Sequence, residues 1–191
     1  LPDGNGNFVS AGELLLEEAR TNLITYSERF DDSYWQKLNA TVDANVFTAP
    51  DGTLTADAFI PAASSGEQRI RRDVTGLNSD TTYTFSVYAK AAGYNFIAVS
   101  PGNYFVADHL TYFNLSTGTV ATNPAGNTAT ITDVGNGWYR CSVARTTSSS
   151  QTVISSRFYV AETDGVASFT GDGTSGLYIW GAQIEAGSFP T

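Results

Sequence analysis

Hydrophobic and polar residues alternate along much of this chain, and short turn-forming stretches separate the alternating segments. The clearest alternation runs over residues 82–90 (TYTFSVYAK), where every second residue is apolar. A period of two is typical of a β-strand that buries one face and exposes the other. The pattern directs Phe85 and Val87 toward a core and directs Tyr88 and Lys90 toward solvent.

Other segments carry similar patterns and predict further strands, at residues 21–26, 38–42, 53–60, 68–74, 95–99, 104–113, 128–133, 138–144, 153–160 and 177–184. Turn signals separate several of them, for example at residues 49–52 (APDG) and 135–137 (GNG). The sequence shows no amphipathic helix. About ten to twelve short strands at this spacing predict an all-β domain, either a sandwich or a barrel.

The first residues differ from the rest of the chain. Residues 1–12 are polar and rich in turn formers, so we predict a linker or N-terminal arm over residues 1–16 and one domain over residues 17–191. The chain starts at Leu1 and contains no Met, which indicates a piece of a longer protein.

Composition and charge narrow the range of functions. Of the 191 residues, 41% are hydrophobic and 13% aromatic, which is enough for a packed core. A net charge of −9 disfavours nucleic acid and anionic membrane surfaces as partners, because like charges repel. No apolar run approaches the ~20 residues that span a bilayer. Cys141 is the only cysteine, so an internal disulfide is excluded, and its alternation with Tyr139 and Val143 predicts a buried, inert thiol.

Five ordered segments resemble a domain found in phage tail, head-spike and fibre proteins: residues 17–28 (EEARTNLITYSE), 49–53 (APDGT), 83–90 (YTFSVYAK), 135–140 (GNGWYR) and 180–191 (WGAQIEAGSFPT). That phage domain is itself similar to the jelly-roll carbohydrate-binding modules that accompany glycanases. The resemblance covers residues 17–191. It implies a jelly-roll β-sandwich of two antiparallel sheets, a virion or extracellular location, and glycan binding without catalysis.

Candidate binding residues follow from the chemistry of sugars. Flat aromatic faces stack on the C–H-rich faces of pyranose rings, and planar polar groups hydrogen-bond their hydroxyls in pairs. On a sandwich such side chains come from the solvent-facing positions of neighbouring strands. Three predicted strands each offer an aromatic and a cation there: Tyr88 with Lys90, Trp138 with Arg140, and Tyr159 with Arg157. In the alternative interpretation, Trp138 seals a sheet edge and Arg140 pairs with an acidic residue.

His109, the only histidine, is a further candidate as a hydrogen-bond donor to a sugar or a carboxylate. The alternative is a surface loop residue between two aromatic-rich strands. With one histidine and no local nucleophile motif, the sequence supports neither a zinc site nor a Ser-His-Asp triad.

Acidic clusters are candidates for a structural calcium ion, which takes six to eight oxygen ligands and can staple loops together. The candidates form an early group and a late group: Glu28, Asp31 and Asp32; Asp164, Asp172 and Glu185. No spacing matches a dedicated calcium-binding loop, so solvated loop charge is the alternative.

The one basic cluster is formed by Arg69, Arg71 and Arg72, which could meet an acidic polysaccharide. On a strand, Arg69 and Arg71 share a face and Arg72 points to the opposite one.

The sequence therefore predicts a non-catalytic module for a cell-surface or extracellular polysaccharide, in a phage-like virion protein or a polysaccharide-active enzyme. One alternative is a structural or oligomerisation domain of a virion fibre or spike, without ligand. Another is a polysaccharide lyase, because residues 90–95 (KAAGYN) resemble the Lys-Ala-Gly-x-Tyr-Asn segment of jelly-roll alginate lyases, whose tyrosine is catalytic. Here the glycine is displaced, no glutamine follows the asparagine, and the companion Gln-Ile-His strand is missing.

Overall fold

The protein, seen in a computed structural model that describes residues 20–102 and 109–191, is built from antiparallel strands. The strands are β1 (Gln36–Leu38), β2 (Ala40–Phe47), β3 (Ala56–Pro61), β4 (Ser65–Glu67), β5 (Arg69–Thr75), β6 (Thr82–Ala92), β7 (Phe96–Gly102), β8 (Thr111–Asn114), β9 (Thr119–Val120), β10 (Asn127–Gly135), β11 (Trp138–Thr146), β12 (Val153–Ala161), β13 (Ser168–Thr170) and β14 (Gly176–Ala186). The arm predicted over residues 1–16 lies outside the described residues. The described ranges contain no helix with the length and apolar character that crossing a bilayer takes.

Two six-stranded sheets make up the domain. The first sheet has the order β1-β5-β12-β7-β8-β9, and the second has the order β10-β11-β6-β14-β3-β2. Strands β4 and β13 form a small third sheet. Every strand pair within the sheets is antiparallel, which confirms the predicted sandwich of two antiparallel sheets.

The core lies between the two large sheets, and Phe158 of β12 is at its centre. This side chain is fully buried, and its ring centroid lies 5.5–6.2 Å from those of Phe30, Trp35, Phe59 and Phe85. Phe59 and Phe85 come from the second sheet, Phe30 and Trp35 come from the loop that precedes β1, and Phe158 itself belongs to the first sheet. The predicted inward positions of β6, β11 and β12 are confirmed, because the following side chains all join the buried core cluster: Phe85, Val87, Cys141, Val143, Ile154, Phe158 and Val160.

The strand predicted over residues 21–26 is wrong. This segment runs beside β14, where the N–H of Leu23 donates to the carbonyl of Ile184 at 2.8 Å. The side-chain oxygen of Asn22, however, accepts from the N–H groups of Ile24 and Ile184 at 3.0 and 3.1 Å. An asparagine that satisfies backbone donors itself competes with a strand ladder, so the segment stays irregular.

The strand predicted over residues 53–60 begins later, at Ala56. Thr53 belongs to the preceding turn, because its carbonyl accepts from the N–H of Ala49 at 2.8 Å and its own N–H donates to Asp51 Oδ1 at 2.9 Å. The strand predicted over residues 104–113 falls partly on residues 103–108, outside the described part. Its described end corresponds to the short strand β8.

The turn before β14 gives a prediction about pH. Asp172 Oδ1 accepts from the N–H groups of Thr174 and Ser175 at 2.8 and 2.7 Å. Hydrogen bonds from the Ser175 hydroxyl and from these N–H groups lower the pKa of Asp172 to about 2. Since this lies below the unfolded value of about 3.9, the turn is stabilised above about pH 4 and loses that contribution as the pH falls through about 2. We expect an NMR titration of the Asp172 carboxyl to give a midpoint near 2.

The amide signals of Thr174 and Ser175 should shift in the same step, and Asp172→Asn should abolish it. A midpoint near 4 for Asp172 would contradict this assignment.

Candidate functional site

Aromatic side chains gather on the outer face of the second sheet, the face that points away from the core. We call Phe47, Tyr88, Trp138, Tyr178 and Trp180 the aromatic face. Strand register brings them together, because Lys90 of β6 lies opposite both Trp138 and Tyr178, and Tyr88 lies opposite both Arg140 and Trp180. Four adjacent or nearby strands of one sheet therefore supply a continuous set of rings.

One end of the aromatic face is closed by the β2–β3 connection. Trp138 is only 2% exposed, and its Nε1–H donates to the carbonyl of Thr48 at 3.2 Å. Beside it, the rings of Phe47 and Tyr178 stack with centroids 4.1 Å apart and planes at 12°. Lys90 Nζ lies 4.9 Å from the Phe47 ring centroid and donates to the carbonyl of Asn136. This end is packed, with little ring surface left for a ligand.

The other end of the aromatic face is open. A pocket of about 150 Å³ lies there, lined by Ser27, Glu28, Tyr88, Trp180, Gly181, Gln183 and Thr191; we call it the Trp180 pocket. The rings of Tyr88 and Trp180 are 5.3 Å apart and tilted by 59°. Trp180 is fixed in place because its Nε1–H donates to Thr55 Oγ1 at 3.0 Å. Both rings remain partly exposed, so they offer aromatic surface to a ligand.

Arg140 supports the pocket from beneath Tyr88. Its guanidinium carbon lies 5.3 Å from the Tyr88 ring centroid. Its Nη2 donates to Ser86 Oγ at 3.3 Å, to the Gln183 side-chain oxygen, and to the carbonyl of Thr191 at 2.7 Å. The Nε–H is buried and has no acceptor among the described residues. Arg140 thus orients Gln183, and no aspartate or glutamate in the described part of the chain forms an ion pair with it.

A β-bulge in β14 places Gln183 in the pocket. The register of β14 against β6 shifts between Trp180 and Gln183, so both side chains point outward although they are three residues apart. Gly181, inside the bulge, has φ +61°, and a Cβ there would lie 3.0 Å from Tyr88 Cδ2. Only glycine fits this backbone next to the Tyr88 ring without strain.

No protein-family model and no curated protein matches the sequence, so the similarities to known proteins are similarities of structure. Among solved structures, the enzymatically active domain of bacteriophage CBA120 tailspike protein 4 matches with a TM-score of 0.53 and 11% identity. The match covers 86% of this chain and 21% of that one, so this chain spans about a fifth of the tailspike chain. TmCBM61, solved in complex with β-1,4-galactotriose, matches with a TM-score of 0.50 and 11% identity, over 86% of this chain and 97% of that module.

The chain has a jelly-roll fold. The likeness to a phage tailspike domain and to a carbohydrate-binding module, predicted from five sequence segments, is thereby confirmed for the fold. At 11% identity the match carries the architecture and leaves the site to be argued from this chain's own residues.

The predicted binding residues divide between two faces of the jelly roll. Tyr88, Lys90, Trp138 and Arg140 lie together on the outer face of the second sheet, as expected from their alternation. The expected single surface is wrong, however, because Arg157 and Tyr159 belong to β12 in the first sheet. Alternation shows which side of its own sheet a residue occupies, but it does not show which sheet the strand joins.

Three of these side chains are also less exposed than predicted. Trp138, Tyr159 and Arg157 keep only 2%, 2% and 6% of their surface exposed. The β2–β3 connection covers Trp138, and Tyr159 packs in a small cluster with Ala98, Tyr112, Ala161 and Ala167. The strand pattern does not reveal that the β2–β3 connection covers the outward-pointing side chain of Trp138.

His109 lies beside Arg145 of β11 and not among the rings of the aromatic face. Its Nε2 is 3.1 Å from Arg145 Nη2, and its carbonyl accepts from Asn127 Nδ2 at 3.1 Å. Arg145 lies near the end of β11 that is opposite to Trp138, so His109 does not join the aromatic face.

The acidic candidates for calcium do not form a metal site among residues 20–102 and 109–191. Lys37 Nζ instead donates to the carbonyls of Asp31 and Asp32, both at 2.9 Å, and to that of Trp35 at 3.3 Å. An ammonium group thus occupies the place beside these carbonyls, and the Asp32 carboxylate accepts from the Tyr34 N–H at 2.8 Å and lies 3.4 Å from Arg29 Nη2. Glu28, the remaining early candidate, lines the Trp180 pocket.

The late acidic candidates are likewise engaged locally: Asp164 by Thr122, Asp172 by Thr174 and Ser175, and Glu185 by Thr191. Calcium therefore remains a prediction without a fitting site in the described part of the jelly roll.

Tyr94, which occupies the position of the lyase tyrosine in the sequence resemblance, has an environment unsuited to a general base. Its ring packs against Phe169 beside the core, with centroids 5.2 Å apart. Burial, followed by the charge of Asp172, raises the pKa of the Tyr94 hydroxyl above its usual value. Proton abstraction near neutral pH requires a lowered pKa, so this geometry gives the lyase alternative no support.

Two residues central to the Trp180 pocket were missed at the sequence level. Trp180 could have been found, since it alternates with the apolar residues Leu177 and Ile179 and therefore points outward. Gln183 could not have been found from the sequence, because the bulge moves its side chain to the face opposite to the one that alternation predicts.

Proposed function

We propose that this jelly roll is a non-catalytic carbohydrate-binding module and that the Trp180 pocket is where it holds a sugar. The observation that carries the proposal is the pair of partly exposed, fixed rings of Tyr88 and Trp180 beside an arginine-oriented glutamine. Aromatic rings, a side-chain amide and a carboxylate in one shallow cavity match the mixed apolar and polar surface of a pyranose.

Each lining group has a defined part in this proposal. Trp180 stacks on the C–H face of the sugar, and Tyr88 forms the adjoining wall. The amide of Gln183 and the carboxylate of Glu28 hydrogen-bond ring hydroxyls. Arg140 fixes Gln183 through its Nη2.

The fold comparisons favour the same reading. TmCBM61, of similar size, carries a bound β-1,4-galactotriose in its solved structure. The tailspike match suggests a virion or extracellular protein as the setting, with a polysaccharide outside the cell as the partner. The identity of the sugar would follow from screening rather than from the fold.

The test is a binding screen followed by a single truncation. A glycan array that includes β-1,4-galactotriose, uronate-containing chains and neutral glucans should reveal at least one ligand for the intact chain. Trp180→Ala should weaken that ligand by about tenfold or more, since the lost contact of a large apolar side chain is worth about 1.5–3 kcal/mol. Isothermal titration calorimetry measures the change.

Leu54→Ala is the matched control, because Leu54 is 63% exposed on the β2–β3 connection and is not part of the pocket. This variant should bind as the original chain does. Failure of every glycan to bind, or undiminished binding by Trp180→Ala, would show the proposal to be wrong.

A further inference from the structure

A second pocket lies beside residues 23–34, the segment whose Ser27 and Glu28 line the Trp180 pocket. It has a volume of about 190 Å³ and is lined by Leu23, Thr25, Tyr34, Arg72, Asp73, Val74 and Thr75. Strand β1 pairs with β5 only as far as Arg71, so from Arg72 onward none of the described strands lies along this side of β5. The pocket occupies the space between that free edge and residues 23–34.

Arg72 is a charged residue at a position that the alternation of β5 directs toward the core. It alternates with Ile70 and Val74, which are 0% and 8% exposed and belong to the core. A charged side chain at a core-facing position either pairs with an opposite charge or extends its aliphatic part through the interior so that the charged end reaches the surface. Because the edge of β5 is open here, the Arg72 side chain reaches the surface, and its guanidinium lines the pocket.

The guanidinium of Arg72 is held in position but is not neutralised. Its carbon lies 3.9 Å from the centroid of the Tyr34 ring, and its Nη1 donates to the Tyr34 carbonyl at 3.3 Å. The buried Nε–H has no acceptor within the described ranges. No carboxylate there forms an ion pair with it, since the adjacent Asp73 accepts from Ser155 Oγ at 2.6 Å and lies 3.7 Å from Arg71. A guanidinium fixed by Tyr34 and unpaired with any described carboxylate therefore lines the pocket.

From this we propose that the pocket binds the carboxylate of an acidic sugar through Arg72. A planar carboxylate matches the guanidinium fork with two parallel hydrogen bonds. The remaining walls are formed by the hydroxyl-bearing side chains of Thr25 and Thr75, by the apolar side chains of Leu23 and Val74, and by Asp73, whose carboxylate accepts from Ser155 Oγ. Such walls suit a small polar ring with one apolar face, which is the form of a uronic acid. The site is independent of the Trp180 pocket.

The test uses the Nε–H signal of Arg72 in a ¹H–¹⁵N NMR spectrum, assigned by its loss in Arg72→Lys. Sodium glucuronate should shift this signal saturably, with a dissociation constant in the millimolar range. Glucose, which lacks the carboxylate, should leave it unchanged at equal concentration. Sodium sulfate tests for a general anion site: a shift as large and as tight as that with glucuronate overturns the proposal, as does an equal response to glucose.

Variants locate the binding. By an independent probe such as saturation-transfer NMR of the sugar, Arg72→Lys should weaken glucuronate by about tenfold or more, because the charge remains but the fork is lost. Arg69→Gln is the matched control, since Arg69 lies on the same strand, on the opposite face, and pairs with Glu67. Unchanged affinity in Arg72→Lys overturns the proposal. Trp180→Ala should keep full glucuronate binding, so the two pockets are judged separately.

Discussion

Phe158→Ala should lower the free energy of unfolding by about 3–5 kcal/mol, the range found when a large aromatic is removed from a packed core. Phe158 is fully buried, and its ring is surrounded by those of Phe30, Trp35, Phe59 and Phe85. Phe59 and Phe85 are held by the second sheet, and Phe30 and Trp35 by the loop before β1, so the four rings cannot collapse together to fill the space. Chemical denaturation followed by tryptophan fluorescence measures the loss.

Phe189→Ala provides the comparison for Phe158→Ala. Phe189 is 56% exposed and contacts the Arg20 guanidinium at 4.0 Å from the ring centroid. Its removal should change the free energy of unfolding by less than about 0.5–1 kcal/mol. Similar losses for the two variants would contradict the central place of Phe158 in the core.

Asp57→Ala should lower the free energy of unfolding by about 2–4 kcal/mol, because it leaves two buried N–H donors without an acceptor. Asp57 is 1% exposed, and its two carboxylate oxygens accept from the N–H groups of Phe30 and Asn45, both at 2.9 Å. It thereby fastens the loop before β1 and the irregular end of β2 to β3. Alanine leaves both donors without an acceptor, at about 1–3 kcal/mol for a fully buried group.

Asp43→Ala is the control for Asp57→Ala, since Asp43 is an exposed aspartate on the neighbouring strand β2. It should leave stability nearly unchanged. Hydrogen exchange adds a local readout: the Phe30 amide should lose protection in Asp57→Ala. If that amide stays protected, the carboxylate does not hold the loop as described.

Strand alternation was a reliable guide to this fold because burial repeats every two residues in a half-buried strand. It predicted the inward rows of β6, β11 and β12, which the structure confirms. It could not predict that β12 joins the first sheet while β6 and β11 join the second. Sheet assignment depends on contacts between segments far apart in sequence, and Arg157 and Tyr159 were misplaced for that reason.

Irregular backbone explains most of the remaining differences at the candidate site. The bulge at Gly181 moves Gln183 to the outer face, and the turn ahead of β3 carries Thr48 over Trp138. Neither event changes the hydrophobic pattern of the strands. Exposed aromatics can therefore be proposed from sequence, but which of them stays open depends on the connections that cross the sheet.

The Lys37 side chain holds the carbonyls of Asp31, Asp32 and Trp35 without the help of a bound ion. A positive centre that is part of the polypeptide cannot dissociate, be chelated, or be diluted away. The contacts that Lys37 makes with the loop carrying Phe30 and Trp35 into the interior therefore do not depend on free divalent ions.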